Sequence, residues 1–156
     1  MSYGIRITGL DNARRLLGTN FNGVLKSATK AIALEVQGTI APYPPATEAN
    51  SPSNDRGRWY ERGYGPRWQR KDGSVAGSKT SQMLGRSWGI RPTGRIGHLV
   101  GNRATYAPYV HAKDKQARFH KVRRWVTDEA AVVTVIRSGV VKRIVVQAII
   151  GAMRRR

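Results

Sequence analysis

The chain has 156 residues, the size of one domain with its own core, and carries 28 Lys or Arg against nine Asp or Glu, a net charge of +19. It holds no Cys, which excludes a disulfide framework, a thiol nucleophile and a thiolate metal site, and its 40% apolar share excludes a wholly disordered chain. No apolar run approaches the ~20 residues that cross a bilayer, and residues 1–20, with three Arg and no apolar core segment, are not expected to be a secretory signal.

Tyr3 to Leu10 alternate loosely, which predicts a short strand ending at Gly9. Asp11 is placed to cap a short helix through Leu17, closed by Gly18. Asn20 or Asn22 then caps a long helix. Its apolar positions Phe21, Val24, Leu25, Ala28, Ala31, Ile32, Leu34, Val36 and Ile40 mostly follow i, i+3, i+4, i+7 spacing, and Pro42, Pro44 and Pro45 stop it.

Residues 41–79 change character. Pro, Gly, Ser, Asn and Arg dominate, and the segment cannot build a core of its own. It reads as an extended basic arm. Arg56, Arg58, Arg62, Arg67, Arg70 and Lys71 interleave there with Trp59, Tyr64 and Trp68. Aromatics for base stacking and Arg for phosphates suit a nucleic acid; the same residue types anchor subunit interfaces. Both uses stay open for these nine residues.

Ser78 or Thr80 is placed to cap a short helix through Gln82, Met83 and Leu84. Trp88 to Arg91 and Ile96 to Val100 then read as the strands of a hairpin, turned by Pro92, Thr93, Gly94 and Arg95. Tyr106 to His111 is a compact aromatic turn or one helical turn, and residues 112–124 a second basic connection. Asp128 and Glu129 suit the first turn of a helix reaching about Arg137, although Val132 to Ile136 are largely β-branched and a strand competes. Ser138-Gly139 punctuates. Val141, Ile144, Val145, Ala148, Ile149 and Ala152 predict a final helix, with Arg154, Arg155 and Arg156 at its negative end.

The charge is uneven along this frame. Residues 1–40 hold five basic and two acidic side chains, residues 41–126 seventeen and five, and residues 127–156 six and two. An excess concentrated in the middle of the chain points to a polyanion, most simply nucleic acid.

Sites for chemistry are scarce. His111, Asp114 and His120 fit no metal-ligand spacing, and Lys113, Lys115, Arg118 and Lys121 around them oppose a bound cation, so surface or interface histidines are expected. Asp128-Glu129 is the one adjacent acidic pair, and adjacent helical residues point apart. Gly73 to Thr80 superficially resembles a phosphate loop but has only three residues between its glycines and a Ser before Lys79. No catalytic residue, cofactor or metal is expected.

One ordered set of motifs stands out. Gln82-Met83-Leu84-Gly85-Arg86-Ser87-Trp88 leads into the hairpin, Val100-Gly101-Asn102 closes it, and Tyr106-Ala107-Pro108-Tyr109-Val110-His111 follows. This order resembles the tail-completion, or neck, proteins of long-tailed bacteriophages, the family that includes minor tail protein Z of phage lambda. The sequence departs from it at His111-Ala112, where many relatives have an acidic residue and glycine, and in a longer arm. The resemblance implies one α+β domain over residues 1–156, with a small antiparallel sheet packed against an N-terminal amphipathic helix and a C-terminal helix. It further implies a non-enzymatic virion protein, assembled in the host cytoplasm into a sixfold ring that joins tail to head. Its partners would be itself, neighbouring neck and tail proteins, and passing double-stranded DNA bound without sequence preference, with no membrane. Leu84, Ser87, Val100, Gly101, Asn102, Tyr106, Ala107 and Tyr109 are then structural; Leu84 and Val100 are expected in the core, Gly101-Asn102 in a turn, and the two tyrosines in packing. The competing classes are a standalone, sequence-nonspecific nucleic-acid-binding protein and, with few acids to support it, a nuclease.

Overall fold

A computed structural model describes Asp11, Arg14, Gly18, residues 21–44 and residues 83–154, apart from the side chains of Met83 and Phe119. The predicted first strand, nearly all of the 41–79 arm, and Arg155 and Arg156 lie outside the described residues. Those that are described form an α+β fold: an N-terminal helix, a two-stranded antiparallel sheet, and helices toward the C-terminus. In chain order the elements are α1 (Phe21–Ile40), α2 (Met83–Arg86), β1 (Trp88–Thr93), β2 (Gly97–Asn102), α3 (Ala107–His111), α4 (Arg118–Val122), α5 (Asp128–Arg137) and α6 (Val140–Met153).

The chain divides into two compact units, each discontinuous in sequence. One comprises the described residues of Met1–Thr39, Gly89–Gly101 and Glu129–Arg156; the other those of Ile40–Trp88 and Asn102–Asp128.

The core of the first unit is aliphatic. Ala28 and Ile32 of α1 meet Val135 of α5 and Val140 and Val145 of α6, with Val36, Val141, Ile144, Ala148 and Ile149 packed around them. A repeat of four residues along α1 places this stripe on one side of the helix. Leu34 departs from the expected stripe and is exposed, because position 34 turns about 160° away from Ile32 at 100° per residue. Lys26 and Lys30 are exposed as well.

Helix α5 resolves the ambiguity of the β-branched run. Ala131 and Val135 are its buried residues, four apart, while Ile136 is exposed. A strand would bury Val133 on the same face as these two, whereas Val133 is only half-buried; a spacing of four is one helical turn, and tertiary packing overrides the weak β-propensity. The Ser138 hydroxyl donates to the Val135 carbonyl (2.8 Å) and lies 3.4 Å from the Val140 N–H. Gly139, at φ 72°, then starts α6 in the left-handed region that a side chain disfavours.

The hairpin turn starts two residues later than its sequence suggests and takes in Ile96, which was expected in the second strand. Pro92 and Thr93 extend β1, and the turn is Gly94 to Ile96. Pro92 is tolerated because both strands of a two-stranded sheet are edges, where a missing N–H breaks no second ladder. Gly94 at φ 57° reverses the chain. The hairpin is tied to α1 through Thr29. Its hydroxyl donates to the Ile96 carbonyl and lies 3.0 Å from His98 Nδ1, from which it can accept.

The second basic connection is not structureless. It contains α4, a single turn too short to show a hydrophobic period. Between β2 and α4, Tyr106 begins α3, with Pro108 in its first turn, where a missing N–H leaves no hydrogen bond unmade.

A Cβ at Gly97 would lie 2.8 Å from the Thr93 carbonyl oxygen across the turn, whereas one at Gly101 meets nothing within 4 Å. Gly97→Ala is therefore expected to lower stability by about 1–3 kcal/mol, as overpacking does. Gly101→Ala should be neutral or slightly stabilising. Urea unfolding of both variants checks the contrast.

Candidate functional site

The motif residues of the second unit are joined by hydrogen bonds through the side chain of Asn102. Its Nδ2 donates to the Leu84 carbonyl at 2.7 Å, and its Oδ1 accepts the Ala104 N–H at 2.9 Å. One carboxamide thus satisfies a carbonyl near the end of α2 and builds the turn that leaves β2. The same junction is closed by the Arg103 N–H on the Ser87 carbonyl (3.0 Å) and the Ser87 N–H on the Leu84 carbonyl (3.3 Å). Behind these bonds lies a small apolar core of Leu84, Ala104, Ala107 and Val110, with Trp125 packed against it.

Trp125 is the hub of an aromatic cluster. Tyr43, His111 and His120 meet it edge-on, with ring centroids 5.1, 5.4 and 5.9 Å away, and Trp88 meets His111 edge-on at 5.2 Å. Gln116 holds the loop around it, donating from Nε2 to the carbonyls of Val110 (2.8 Å) and Trp125 (2.9 Å). The Lys113 N–H donates to Asp128 Oδ1 at 3.1 Å.

His111 is only 4% exposed. It was expected at the surface or an interface, and the structure corrects that. An imidazole is buried here because it is neutral. Nδ1–H donates to the Val126 carbonyl at 2.7 Å, and the ring stands against two indoles. Burial lowers its pKa, against smaller raising effects from the Val126 hydrogen bond and the Asp128 charge. His120 is lowered to about 4, by burial first, then by the charges of Arg123 and His111.

Leu84 is in the core, as expected, and so is Ala107. Val100 is only half-buried, so its expected core position is corrected: it lies in β2 of a two-stranded sheet, and neither aliphatic core includes it. Gly101 and Asn102 are the last two residues of β2, and the Asn102 side chain starts the turn after them. Tyr106 and Tyr109 were expected in packing, but both are exposed. Ala107 and Val110, three apart on α3, take the inward positions.

Arg56, Arg58, Trp59, Arg62, Tyr64, Arg67, Trp68, Arg70 and Lys71 lie outside the described residues. Asp114 is exposed while His111 is buried, and among the described residues no three His, Cys, Asp or Glu side chains gather as a metal site would need. Two features that sequence reasoning missed are the central place of Trp125 and the buried state of His111. The only signal for either is the Trp itself, a large aromatic residue in a stretch rich in cations.

Asn102→Asp is expected to destabilise the protein by about 1–3 kcal/mol, because a carboxylate cannot donate and sets an anionic oxygen against the Leu84 carbonyl. The sign is diagnostic, since a new negative charge on a +19 chain would otherwise relieve repulsion. Denaturant unfolding of wild type and variant at neutral pH checks it. For His111 and His120 the folded pKa lies below the unfolded 6.5. Below pH ~6.5 the unfolded chain binds more protons at both, so their contribution is present above pH ~6.5 and is lost as pH falls through the folded values, which for His120 is about 4. Unfolding midpoints measured from pH 7.5 down to pH ~4 should therefore fall, and the fall should be smaller in His120→Gln.

Compared with known proteins, the chain has no match among family models, curated proteins or solved structures.

Proposed function

We propose that this chain is a structural virion protein. Copies of it form a ring at the neck or upper tail of a long-tailed phage, joining tail to head and enclosing a channel for DNA. The observation that carries the reading is the motif order, Leu84 to Ser87, Val100 to Asn102 and Tyr106 to Tyr109, together with the work those residues do. The Asn102 side chain bonds the first motif and the turn at Ala104 that leads to the third, whose tyrosines are exposed. A frame of short motifs held by backbone bonds, with aromatic residues left exposed beside it, suits a subunit whose neighbours complete its surface. A closed ring of identical subunits uses a heterologous interface, which a long arm at 41–79 would help to secure.

The charge supports the same reading. Cations spread over flexible-length side chains offset phosphate charge without reading bases, as a conduit for any DNA sequence requires. No membrane partner is invoked, and among the described residues no helix is long and apolar enough to cross a membrane.

The test is native mass measurement of the purified protein, alone and with tail components, alongside protein analysis of purified particles. A ring-sized assembly and presence in particles are expected. A protein that stays monomeric in both conditions and is absent from particles overturns the reading and leaves a standalone nucleic-acid binder as its successor.

A further inference from the structure

Four described residues have positive φ. Three are glycines: Gly18, Gly94 and Gly139. The fourth is Arg124, at φ 60°. It stands two residues past the end of α4, where the Arg124 N–H donates to the Lys121 carbonyl (3.0 Å) and the Trp125 N–H to the His120 carbonyl (3.2 Å). This pair of bonds is the Schellman helix ending, and its left-handed position is the one most often given to glycine. A chain with 17 glycines that uses glycine at the other three such turns has placed a strained arginine at this one. The guanidinium is what glycine would not supply.

Arg124 is not isolated. Lys115, Arg118, Lys121 and Arg124 are all exposed, and they recur every three residues. Arg118 and Lys121 therefore share a side of α4, and Arg124 continues the series past its end. The Ala117 N–H donates to the Tyr109 carbonyl at 2.9 Å, which anchors the start of α4 beside a tyrosine that is 59% exposed. Asp114 is the one acid inside the run from Lys113 to Arg124. Repelling cations are brought together on a turn fixed by the Trp125 cluster, a cost that a polyanion repays.

We propose that Lys115, Arg118, Lys121 and Arg124 form a surface for the phosphate backbone of double-stranded DNA. The choice of duplex DNA rests on the neck reading above. Evenly spaced cations make backbone contacts, which position a duplex without reading its sequence. The DNA-facing role thus passes to a fixed element of the fold, whether or not the 41–79 arm also takes part.

The experiment measures binding of a short duplex by the full chain between about 50 and 200 mM salt. It compares wild type, Arg124→Gly, the triple variant Arg118→Gln/Lys121→Gln/Arg124→Gly, and the arm variant Arg56→Gln/Arg58→Gln/Arg62→Gln. Each lost phosphate contact should make the slope of log K against log salt shallower by about 0.9. The triple variant is therefore expected to lose about 2–3 units of slope and on the order of a hundredfold in affinity near 0.1 M salt, equally on A·T-rich and G·C-rich duplexes. Arg124→Gly should lose about one unit of slope while keeping or raising the melting temperature, because glycine relieves the strain.

An unchanged slope in the triple variant overturns the assignment. So does a fall in melting temperature of several degrees in Arg124→Gly, which would give the arginine a structural purpose. If the triple variant loses binding to polyglutamate but not to the duplex, the surface docks an acidic protein and the proposal fails. A ring that assembles with no change of slope removes this surface and leaves the neck reading intact. A slope change in a protein that never assembles removes the neck reading and leaves the surface.

Discussion

Mutual repulsion among 28 cations facing nine acids is the constraint under which every part of this chain is built. Neither apolar core admits a charge. The first is five aliphatic residues from α1, α5 and α6, and the second is Leu84, Ala104, Ala107 and Val110 beside Trp125. Among the described residues the one polar side chain buried outright is His111, and it is buried as the neutral imidazole. Polar order in the second unit comes instead from uncharged carboxamides. Asn102 and Gln116 each engage two backbone partners, giving directional bonds with no added charge. Among the described residues every Lys and Arg except the half-buried Arg123 is exposed, and where several gather around α4 a backbone strain is accepted to keep one more.

The elements legible in the sequence were those with a period. The stripe of α1 and that of α6 are long enough to show a repeat of four, and both form helices that meet in one core. The β-branched α5 was ambiguous because propensity and periodicity disagreed; the packing of Ala131 and Val135 decided it. Helix α4 left no trace because one turn contains no period. Which way Tyr106 and Tyr109 point was equally hidden. On so short a helix the inward face depends on where Leu84 and Trp125 come to lie, and those contacts are set by tertiary structure. The turn at Asn102 could be read from residue type, but its bond to Leu84 spans 18 residues and no local rule reaches that far. The functional surface proposed around α4 was visible as charge alone. What singled out Arg124 was its backbone angle, which the sequence reveals only as a missing glycine after a helix.

These observations fit together in the proposed neck protein. Its motifs are joined through Asn102, its third motif leaves aromatics exposed, and its basic surface is suited to contacts that ignore base sequence. The charge that sets the constraint on folding is, in this account, the charge that the passing DNA neutralises. The most direct measurement is a side-chain-resolution reconstruction of the neck in purified particles. The account predicts this chain as a closed ring with Arg118, Lys121 and Arg124 facing the lumen. A neck without the chain, or a ring in which α4 faces away from the DNA, would contradict it.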